Sequence, residues 1–347
     1  MKRVLLVGAG HAHLAVLRSL AQSPLFGAAT MLVSPNRLQV YSGMLPGVIA
    51  GHYRVEEAQV DVARLAERAQ VEFVQGELAS LDAKKRFVRL RDWTELEYEA
   101  LSINAGSIIE RSLPGAQHAV AVKPFDELAA GLGIARRVAV VGAGPAGAEL
   151  AMALRHAGAQ VTLYSENPPQ PPALAERLLR QLRRRGVDFR PGMAVTAIEP
   201  GPVVVAGTTR QEFDRVLLAT GATAQPWLRP SGLQTDERGF ALVGATLQSV
   251  SHLDVFVVGD CATLRDAPHP KSGVYALRHG EVLIHNLRNL VAGMPLVPYK
   301  AQKRALSLLT CGRRYAIAEW GGWTIEGWWA WWWKDRIDRR WIRTFEN

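Results

Sequence analysis

The chain has 347 residues, of which 48% are hydrophobic and 21% charged, and its formal net charge is +9. This is a globular composition, long enough for about two domains with separate cores. The two cysteines, Cys261 and Cys311, lie far apart, so we expect no disulfide framework and no metal site, as fits a reducing cytosol. No zinc-finger, helix-turn-helix or RNA-binding signature accompanies the positive charge, so we expect no nucleic-acid partner. No uninterrupted apolar run reaches the length of a membrane span.

In the first hundred residues the pattern predicts strand 4–7, helix 12–20, strand 30–33, helix 60–69 and strands 71–73, 87–90, 96–98 and 101–107. The first strand runs into a glycine turn, Gly8-x-Gly10, and then into the helix. Such a turn lets a pyrophosphate approach the backbone at the start of a helix.

Two positions of this first unit depart from the dinucleotide-binding pattern. His13 stands where a third glycine is usual, and it either loosens the contact between helix and strand or adds a cofactor contact. The second strand ends in Ser34, where an acid usually binds a ribose hydroxyl. Serine retains a hydroxyl that can make the hydrogen bond.

Residues 41–51 (YSGMLPGVIAG) are punctuated by glycine and proline, yet they are apolar. An ordinary surface loop would be polar. We expect the segment either to lie against a flat aromatic ligand or to be a buried connector.

The second half predicts strand 138–141, helix 148–157, strand 161–164, a helix within 177–190, strands 213–220 and 255–262, and helix 272–290. Residues 136–144 (RRVAVVGAG) nearly repeat residues 2–10 (KRVLLVGAG) and continue to Gly147, completing Gly142-x-Gly144-x-x-Gly147. The repeat predicts two nucleotide sites. They serve either two exchanging substrates or one permanent and one exchanging cofactor. The arginines at 177–190 are expected on the outer face of a helix whose leucines cover a sheet.

The two glycine turns, Ala219-Thr220-Gly221 and Val257-Val258-Gly259-Asp260 together resemble the FAD-dependent pyridine nucleotide–disulfide oxidoreductase superfamily, in order and spacing over most of residues 1–290. The resemblance implies an α/β fold with two Rossmann-like domains. An FAD domain, 1–112 and 236–310, would be interrupted by an NAD(P)H domain, 113–235, and a Trp-rich tail, 311–347, would follow. Type II NADH dehydrogenases are the most similar members. The segments His11-Ala12-His13, YSGMLPG, KSGVYALRHG and the Trp-rich end resemble the flavoprotein module fused to selenide, water dikinase.

The resemblance places FAD on Gly8, Gly10 and Asp260, and NAD(P)H on Gly142, Gly144 and Gly147. For Asp260 the alternative role is a helix N-cap. The cofactor-binding residues expected are Gly8, Gly10, His11, His13, Ser34, Pro46, Gly106, Gly142, Gly144, Gly147, Glu166, Gly221, Gly259, Asp260 and Gly273. Glu166, one position beyond the usual acid, slightly favours NADH over NADPH.

Because no cysteine precedes Cys261, the redox disulfide of the superfamily is excluded, and we expect direct hydride transfer from NAD(P)H to flavin N5 and then to a second acceptor. By the same resemblance Glu149, on the first turn of the second helix, points towards nicotinamide and flavin; otherwise it is an acid favoured at a helix N-terminus. Lys271 is expected to add positive charge near the flavin, or else to be an exposed lysine. These two are the catalytic candidates.

Two observations bear on the acceptor. Type II NADH dehydrogenases carry two glutamines by the quinone site, and the corresponding positions here, 273–278, read GVYALR. A quinone-like acceptor is therefore weakened but kept. Our first hypothesis is an FAD-dependent NAD(P)H oxidoreductase with a quinone-like acceptor. The alternative is an accessory flavoprotein of selenium metabolism that docks a partner or senses redox state.

Eight of the ten tryptophans lie between Trp320 and Trp341. Trp329, Trp333, Ile337 and Trp341 recur every four residues, with basic residues such as Lys334 and Arg336 beside them. Tryptophan with basic residues is typical of a helix at a membrane surface. We expect either a cytoplasmic protein peripheral to the inner face of the membrane, or a tail that packs on the flavin domain or in a homodimer.

Overall fold

Two parallel sheets form the frame of the molecule in the computed structural model, which describes residues 1–125, 127–128, 135–169, 172–302 and 304–346. The helices are α1 His11–Gln22, α2 Leu45–Ile49, α3 Val62–Arg68, α4 Pro145–His156, α5 Pro172–Arg184, α6 Gly273–Ala292 and α7 Trp328–Glu346. The strands are β1 Lys2–Val7, β2 Ala28–Ser34, β3 Leu38–Val40, β4 Gln59–Asp61, β5 Glu72–Gln75, β6 Leu78–Asp82, β7 Phe87–Leu90, β8 Glu95–Glu97, β9 Ala100–Ile103, β10 Ile108–Ile109, β11 Val120–Ala121, β12 Arg137–Val141, β13 Gln160–Ser165, β14 Asp188–Pro191, β15 Val195–Glu199, β16 Val203–Ala206, β17 Thr209–Glu212, β18 Arg215–Leu218, β19 Ala222–Thr223, β20 Ala241–Val243, β21 Val255–Val257, β22 Ala262–Leu264, β23 Leu306–Cys311, β24 Arg313–Trp320 and β25 Trp323–Gly327.

The first sheet has the strand order β21-β9-β1-β2-β5, and its neighbours are parallel. The chain leaves β1 for β2 on one side and returns to β9 on the other. The carboxyl ends of β1 and β9 therefore border a crevice of the kind in which doubly wound sheets bind ligands. Helix α1 packs against α6 over one face of this sheet.

The second sheet, β11-β18-β12-β13-β14, repeats this parallel arrangement with β12 and β18 at its centre. The predicted α/β class with two Rossmann-like units is confirmed. On α5, Leu174, Leu178 and Leu182 are buried while Arg183 and Arg184 are exposed, as the leucine spacing predicted.

Some predicted bounds were wrong for local reasons. The helix expected at 60–69 begins only at Val62, because Asp61 caps it by accepting a hydrogen bond from the Arg64 backbone N–H. The strands expected at 101–107 and 255–262 end at Ile103 and Val257, where the chain turns out of the first sheet.

The tail forms an antiparallel sheet, β23-β24-β25, followed by α7. Helix α7 packs on the rest of the chain through a side that includes a buried charged pair: Ala330, Trp331, Lys334, Asp338, Ile342 and Phe345. Of the stripe predicted from the four-residue spacing, Trp329, Trp333 and Ile337 are exposed instead. Within the described residues, every helix is too short or too polar to cross a bilayer.

Candidate active site

Asn104, at the carboxyl end of β9, joins the turns of the first sheet. Its Oδ1 accepts from the His13 backbone N–H at 3.1 Å, and its Nδ2 donates to the Val258 carbonyl at 3.0 Å. A Cβ on Gly10 would lie 2.5 Å from Asn104 Oδ1, and one on Gly259 would lie 2.4 Å from Asn104 Nδ2. Glycine is required at both positions because this buried side chain fills the space between them.

The polar groups of His13 and Ser34 are hydrogen-bonded within the protein. The fully buried His13 ring donates from Nδ1 to the Gly8 carbonyl at 2.5 Å and accepts at Nε2 from the Ser102 hydroxyl at 2.8 Å. Ser34 is buried and donates to the Asn36 carbonyl at 3.2 Å. Direct cofactor contacts by these two side chains stay predictions, and the geometry gives His13 a role in holding the Gly8 turn.

Asp260 follows the Gly259 turn and faces a second group of residues. One carboxylate oxygen accepts from Ser107 at 3.2 Å and from Lys123 Nζ at 3.1 Å. His11, at the start of α1, is near enough to feel both charges, and burial lowers its pKa to about 4. Asp260 lies inside the short turn Gly259–Cys261, whose N-cap is Val258, so the structure does not give it the N-cap role that the sequence left open.

The glycines of the second turn have different reasons to be glycine. A Cβ on Gly142 would lie 2.3 Å from the Ala219 carbonyl oxygen, and one on Gly147 would lie 2.0 Å from the Gly142 carbonyl oxygen. These two allow close packing of strand and helix. Among the residues that the structure describes, none would come within 4 Å of a Cβ on Gly144, so the backbone there is open to a ligand. This fits a pyrophosphate that approaches the backbone.

The N-cap residues of α1, α4 and α6, which are Gly10, Gly144 and Ser272, supply no side-chain cap, although Asn104 Oδ1 accepts from one N–H in the first turn of α1. None of the three helices has an acidic residue in its first turn. Free N–H groups and the positive end of the helix dipole make such ends favourable for anions. The ends of α1 and α4 therefore suit dinucleotide phosphates, and that of α6 suits negative charge on a flavin ring.

Glu149 reaches across to the tail. It is the fifth residue of α4, one turn further in than the sequence suggested, and its Oε1 accepts from the Thr310 backbone N–H at 2.6 Å and hydroxyl at 3.0 Å. Burial raises the pKa of its carboxyl, while the nearby Lys334 opposes that shift. The side chain is bonded to β23 and not to the N-terminus of its own helix.

Lys334 connects α7 to the apolar segment 41–51. Its Nζ donates to Asp338 at 2.5 Å and to the Gly43 carbonyl at 2.6 Å, and Asp338 also accepts from the Tyr41 hydroxyl at 3.2 Å. The Tyr41 ring lies 5.3 Å from the His11 ring. Segment 41–51, in which the predicted Pro46 lies on α2, is thus held between the first unit and α7. It is a connector that also borders the site.

Lys271 is partly buried beside α6. It donates to the Ala262 carbonyl and, at 2.9 Å, to the Thr263 hydroxyl, and its Nζ lies 4.1 Å from the centre of the Phe240 ring. Burial lowers the pKa of its ammonium to about 8. Next to it, a Cβ on Gly273 would lie 3.3 Å from His11 Nε2, so the start of α6 borders the site of α1.

The remaining expected residues lie at strand ends. Gly106 and Gly221 have positive φ, and a Cβ on either would meet nothing within 4 Å. Ser165, at the end of β13, donates to the carbonyl two residues further on, that of Asn167, just as Ser34 at the end of β2 donates to that of Asn36. Glu166, next to Ser165, is exposed. Ribose contacts by Glu166 stay a prediction.

Both thiols are buried. Burial raises the pKa of Cys261 to about 12 and raises that of Cys311 as well. Neither is poised as a thiolate nucleophile.

The sequence interpretation missed several residues of this site: Asn104, Lys123, Thr310, Lys334 and Asp338. Asn104 carried a signal, since an amide side chain directly after an apolar strand needs partners. The i, i+4 spacing of Lys334 and Asp338 was also visible. Lys123 and Thr310 had no local signal, because their partners are 137 and 161 positions away.

The model of the family described as pyridine nucleotide-disulphide oxidoreductase matches residues 2–280. The chain belongs to this family. Ferroptosis suppressor protein 1 of Xenopus tropicalis is 28% identical over 350 aligned positions, covering 92% of this chain and 89% of that protein. A probable ferredoxin reductase of Castellaniella defragrans is 28% identical over 314, covering 84% of this chain and 75% of that one.

Solved structures share the fold. The sulfide:quinone oxidoreductase of Aquifex aeolicus superposes with a TM-score of 0.79 at 17% identity, over all of this chain and 92% of its own. The water-forming NADH oxidase of Lactobacillus brevis gives a TM-score of 0.74 at 21% identity, over 92% of this chain and 75% of its own. With the family and the two nucleotide turns, the chain is an FAD-dependent oxidoreductase that uses NAD(P)H.

We predict that Asn104→Ala lowers the affinity for FAD at least about 10-fold, because it leaves the His13 N–H and the Val258 carbonyl without their partner. FAD fluorescence on titration into the apoprotein measures this. Asn286→Ala is the matched control: that buried asparagine donates to two carbonyls, Thr246 and Val297, neither of which belongs to the Gly8–Gly10 turn or the Gly259 turn. Equal losses of affinity in both variants would contradict a specific role for Asn104.

We predict that Lys271 makes reduction of the flavin pH-dependent. The Lys271 ammonium is charged below about pH 8 and neutral above it. If the reduced flavin favours the charged ammonium, reduction above pH 8 takes up one extra proton at Lys271. The midpoint potential of the wild type should fall about 30 mV per pH unit more steeply above this pH than that of Lys271→Met. Spectroelectrochemical titration measures both, with exposed Lys84→Met as the control. Parallel curves for wild type and Lys271→Met would contradict the prediction.

Proposed function

We propose that this protein oxidises NAD(P)H and passes the electrons to a quinone-like acceptor taken from a membrane surface. The observation that carries the proposal is the pair of helices that begin at glycine turns, one beside each parallel sheet, whose N-cap residues Gly10 and Gly144 have no side chain, in a chain whose two thiols are buried. The first supports FAD and the second NAD(P)H. Bound FAD would supply the acceptance of a hydride and its onward transfer as electrons.

The chain's own residues support this reaction from both sides. Asn104 and His13 hold the first turn, and Asp260 accepts from Lys123 at the Gly259 turn. Glu149 lies on the second helix with its pKa raised by burial. Burial makes this carboxyl easier to protonate than an exposed one, which suits a group that holds or exchanges a proton. Lys334 and Asp338 close the side of the site nearest the tail.

We predict that the Cys261→Ser, Cys311→Ser double variant still has its flavin reduced by NADH. Direct hydride transfer needs no thiol, and the two serines replace buried groups of similar size. Anaerobic stopped-flow absorbance at the flavin band measures the reduction, and turnover with a soluble quinone analogue then tests the acceptor. A variant that is folded and loaded with FAD yet no longer reduced would refute the thiol-free reaction. Wild type that is reduced but passes nothing to the quinone would refute the acceptor.

The exposed side of α7 supports a membrane partner. Trp328 is 71% exposed and Trp332 is 54% exposed, with Trp329, Trp333 and Ile337 also open to solvent. The opposite side of this helix carries the buried Lys334–Asp338 pair. The buried side of α7 thus combines an ion pair with apolar residues, while four of its tryptophans lie on the exposed side, and tryptophan is favoured at the headgroup level of a bilayer.

The charges of α7 favour an anionic surface. With its terminal Glu346 the whole helix has a net charge of +2. Between positions 328 and 345, five basic and two acidic residues leave a net charge of +3. Lys334 pairs with Asp338 and Arg339 with Asp335, so this net charge lies on the exposed Arg336, Arg340 and Arg343. Near an acidic leaflet each basic residue contributes about 1 kcal/mol, so the three supply about 3 kcal/mol. The tryptophans must supply the rest.

We predict that the protein sediments with anionic phosphatidylserine-containing vesicles, less so at high salt, and that Trp329→Gln, Trp333→Gln weakens this binding. A triple Arg336→Gln, Arg340→Gln, Arg343→Gln variant should weaken it about 100-fold. Substitutions on the exposed side are preferable to truncation, because α7 also fills the core with Ala330 and Ile342.

The matched control is Trp93→Gln, which removes a tryptophan that is 77% exposed on a distant hairpin. Wild-type protein that stays in the supernatant would refute the membrane surface. If it elutes as a dimer and the Trp329, Trp333 variant as a monomer, the exposed side is a homodimer interface instead.

The alternative role in selenium metabolism rests on the sequence resemblance alone, and the names of the relatives reported above give it no support. We retain the preference for NADH over NADPH, on the position of Glu166 after β13.

A further inference from the structure

We propose that His279 is a positioning residue for the cofactor turn at Gly259 and Asp260. The proposal rests on the assignment of FAD to this turn. The Gly259 backbone N–H donates to His279 Nδ1 at 3.1 Å. His279 is fully buried on α6, and Gly259 is buried as well.

The partners fix which ring atoms carry hydrogen. Because His279 Nδ1 accepts, its hydrogen sits on Nε2, which lies 3.0 Å from His269 Nε2. His269 Nδ1 lies 3.0 Å from the Pro270 carbonyl, an acceptor only, so His269 donates there and accepts at Nε2. Three hydrogen bonds thus run in one direction, from Gly259 through both rings to Pro270.

This relay of hydrogen bonds links two elements that border the cofactor site. Gly259 precedes Asp260, and Pro270 lies in the loop just before the uncapped start of α6. On its other side Gly259 is blocked by Asn104 Nδ2, 2.4 Å from where its Cβ would be. The bond to His279 and the contact with Asn104 together restrict the backbone of Gly259. The conformation of Gly259 in turn sets the direction of the Asp260 carboxylate.

The surroundings keep both rings neutral, as the hydrogen-bond directions require. His269 stacks on Tyr275 with ring centres 4.2 Å apart, and the edge of Tyr299 meets His279 at 4.5 Å. Lys271 and Asp260 are the nearby charges. Burial lowers the pKa of His279 to about 3 and lowers that of His269 too, and Lys271 lowers both further.

Two polar substitutions of similar chemistry test the proposal. In His279→Asn the amide oxygen takes the place of Nδ1 and still accepts from Gly259, whereas in His279→Gln the amide lies near the place of Nε2. We expect His279→Asn to bind FAD within about 3-fold of wild type and His279→Gln to bind about 10- to 100-fold more weakly, since Gly259 then has a buried, unpaired N–H. Fluorescence titration of FAD into each apoprotein measures both, with thermal unfolding of the apoproteins alongside.

The exposed His285→Leu, on the same helix, is the control and should bind FAD as wild type does. Equal FAD affinity for the asparagine and glutamine variants, at either level, would overturn the proposal. A glutamine variant that fails to fold while the asparagine variant binds FAD would support it, because the asparagine keeps an acceptor for the Gly259 N–H whereas the glutamine keeps only a group near the place of Nε2. Wild-type apoprotein that does not bind FAD would instead refute the cofactor assignment itself.

Discussion

The amide of Asn104 is the interaction on which the rest of the site depends. Parallel strands bring their carboxyl ends to one edge of a sheet, but they do not fix the turns that follow. Asn104 bonds to the first helix through His13 and to the last strand through Val258, so the turns after β1, β9 and β21 are held as one unit. A buried amide with both ends hydrogen-bonded has few alternative positions. The Asn104 amide also fills the space beside Gly10 and Gly259.

The second constraint is the Lys334–Asp338 ion pair on the buried side of α7. Burying Lys334 and Asp338 carries a desolvation penalty, and replacing such a pair by apolar residues is often stabilising. Lys334 bonds to the Gly43 carbonyl and lies near Glu149, and Asp338 bonds to Tyr41. Apolar side chains at these two positions could not make these contacts. The tail is therefore both a wall of the active site and, on its outer side, the surface proposed for the membrane.

Much of the fold could be read from local pattern. The valine runs, the two glycine turns and the leucines of α5 predicted the two parallel units, because strand and helix periodicity are properties of short segments. The side chains within the site could not be read in this way. For His13 the sequence left open a looser contact between helix and strand or a cofactor contact. A residue pattern does not give the direction of its ring, which turns inward to Gly8 and Ser102.

The sequence by itself determined the family, the cofactor turns and the absence of a redox cysteine pair before Cys261, since each depends on residue type at fixed local spacing. Only the tertiary structure decided which side of the Trp-rich helix faces the protein. Spacing every four residues reports an apolar stripe, yet it does not report whether the stripe meets the core or the solvent. That choice was made by Tyr41, Gly43 and the surroundings of Glu149, residues roughly 180 to 300 positions away that offer polar partners to Lys334 and Asp338.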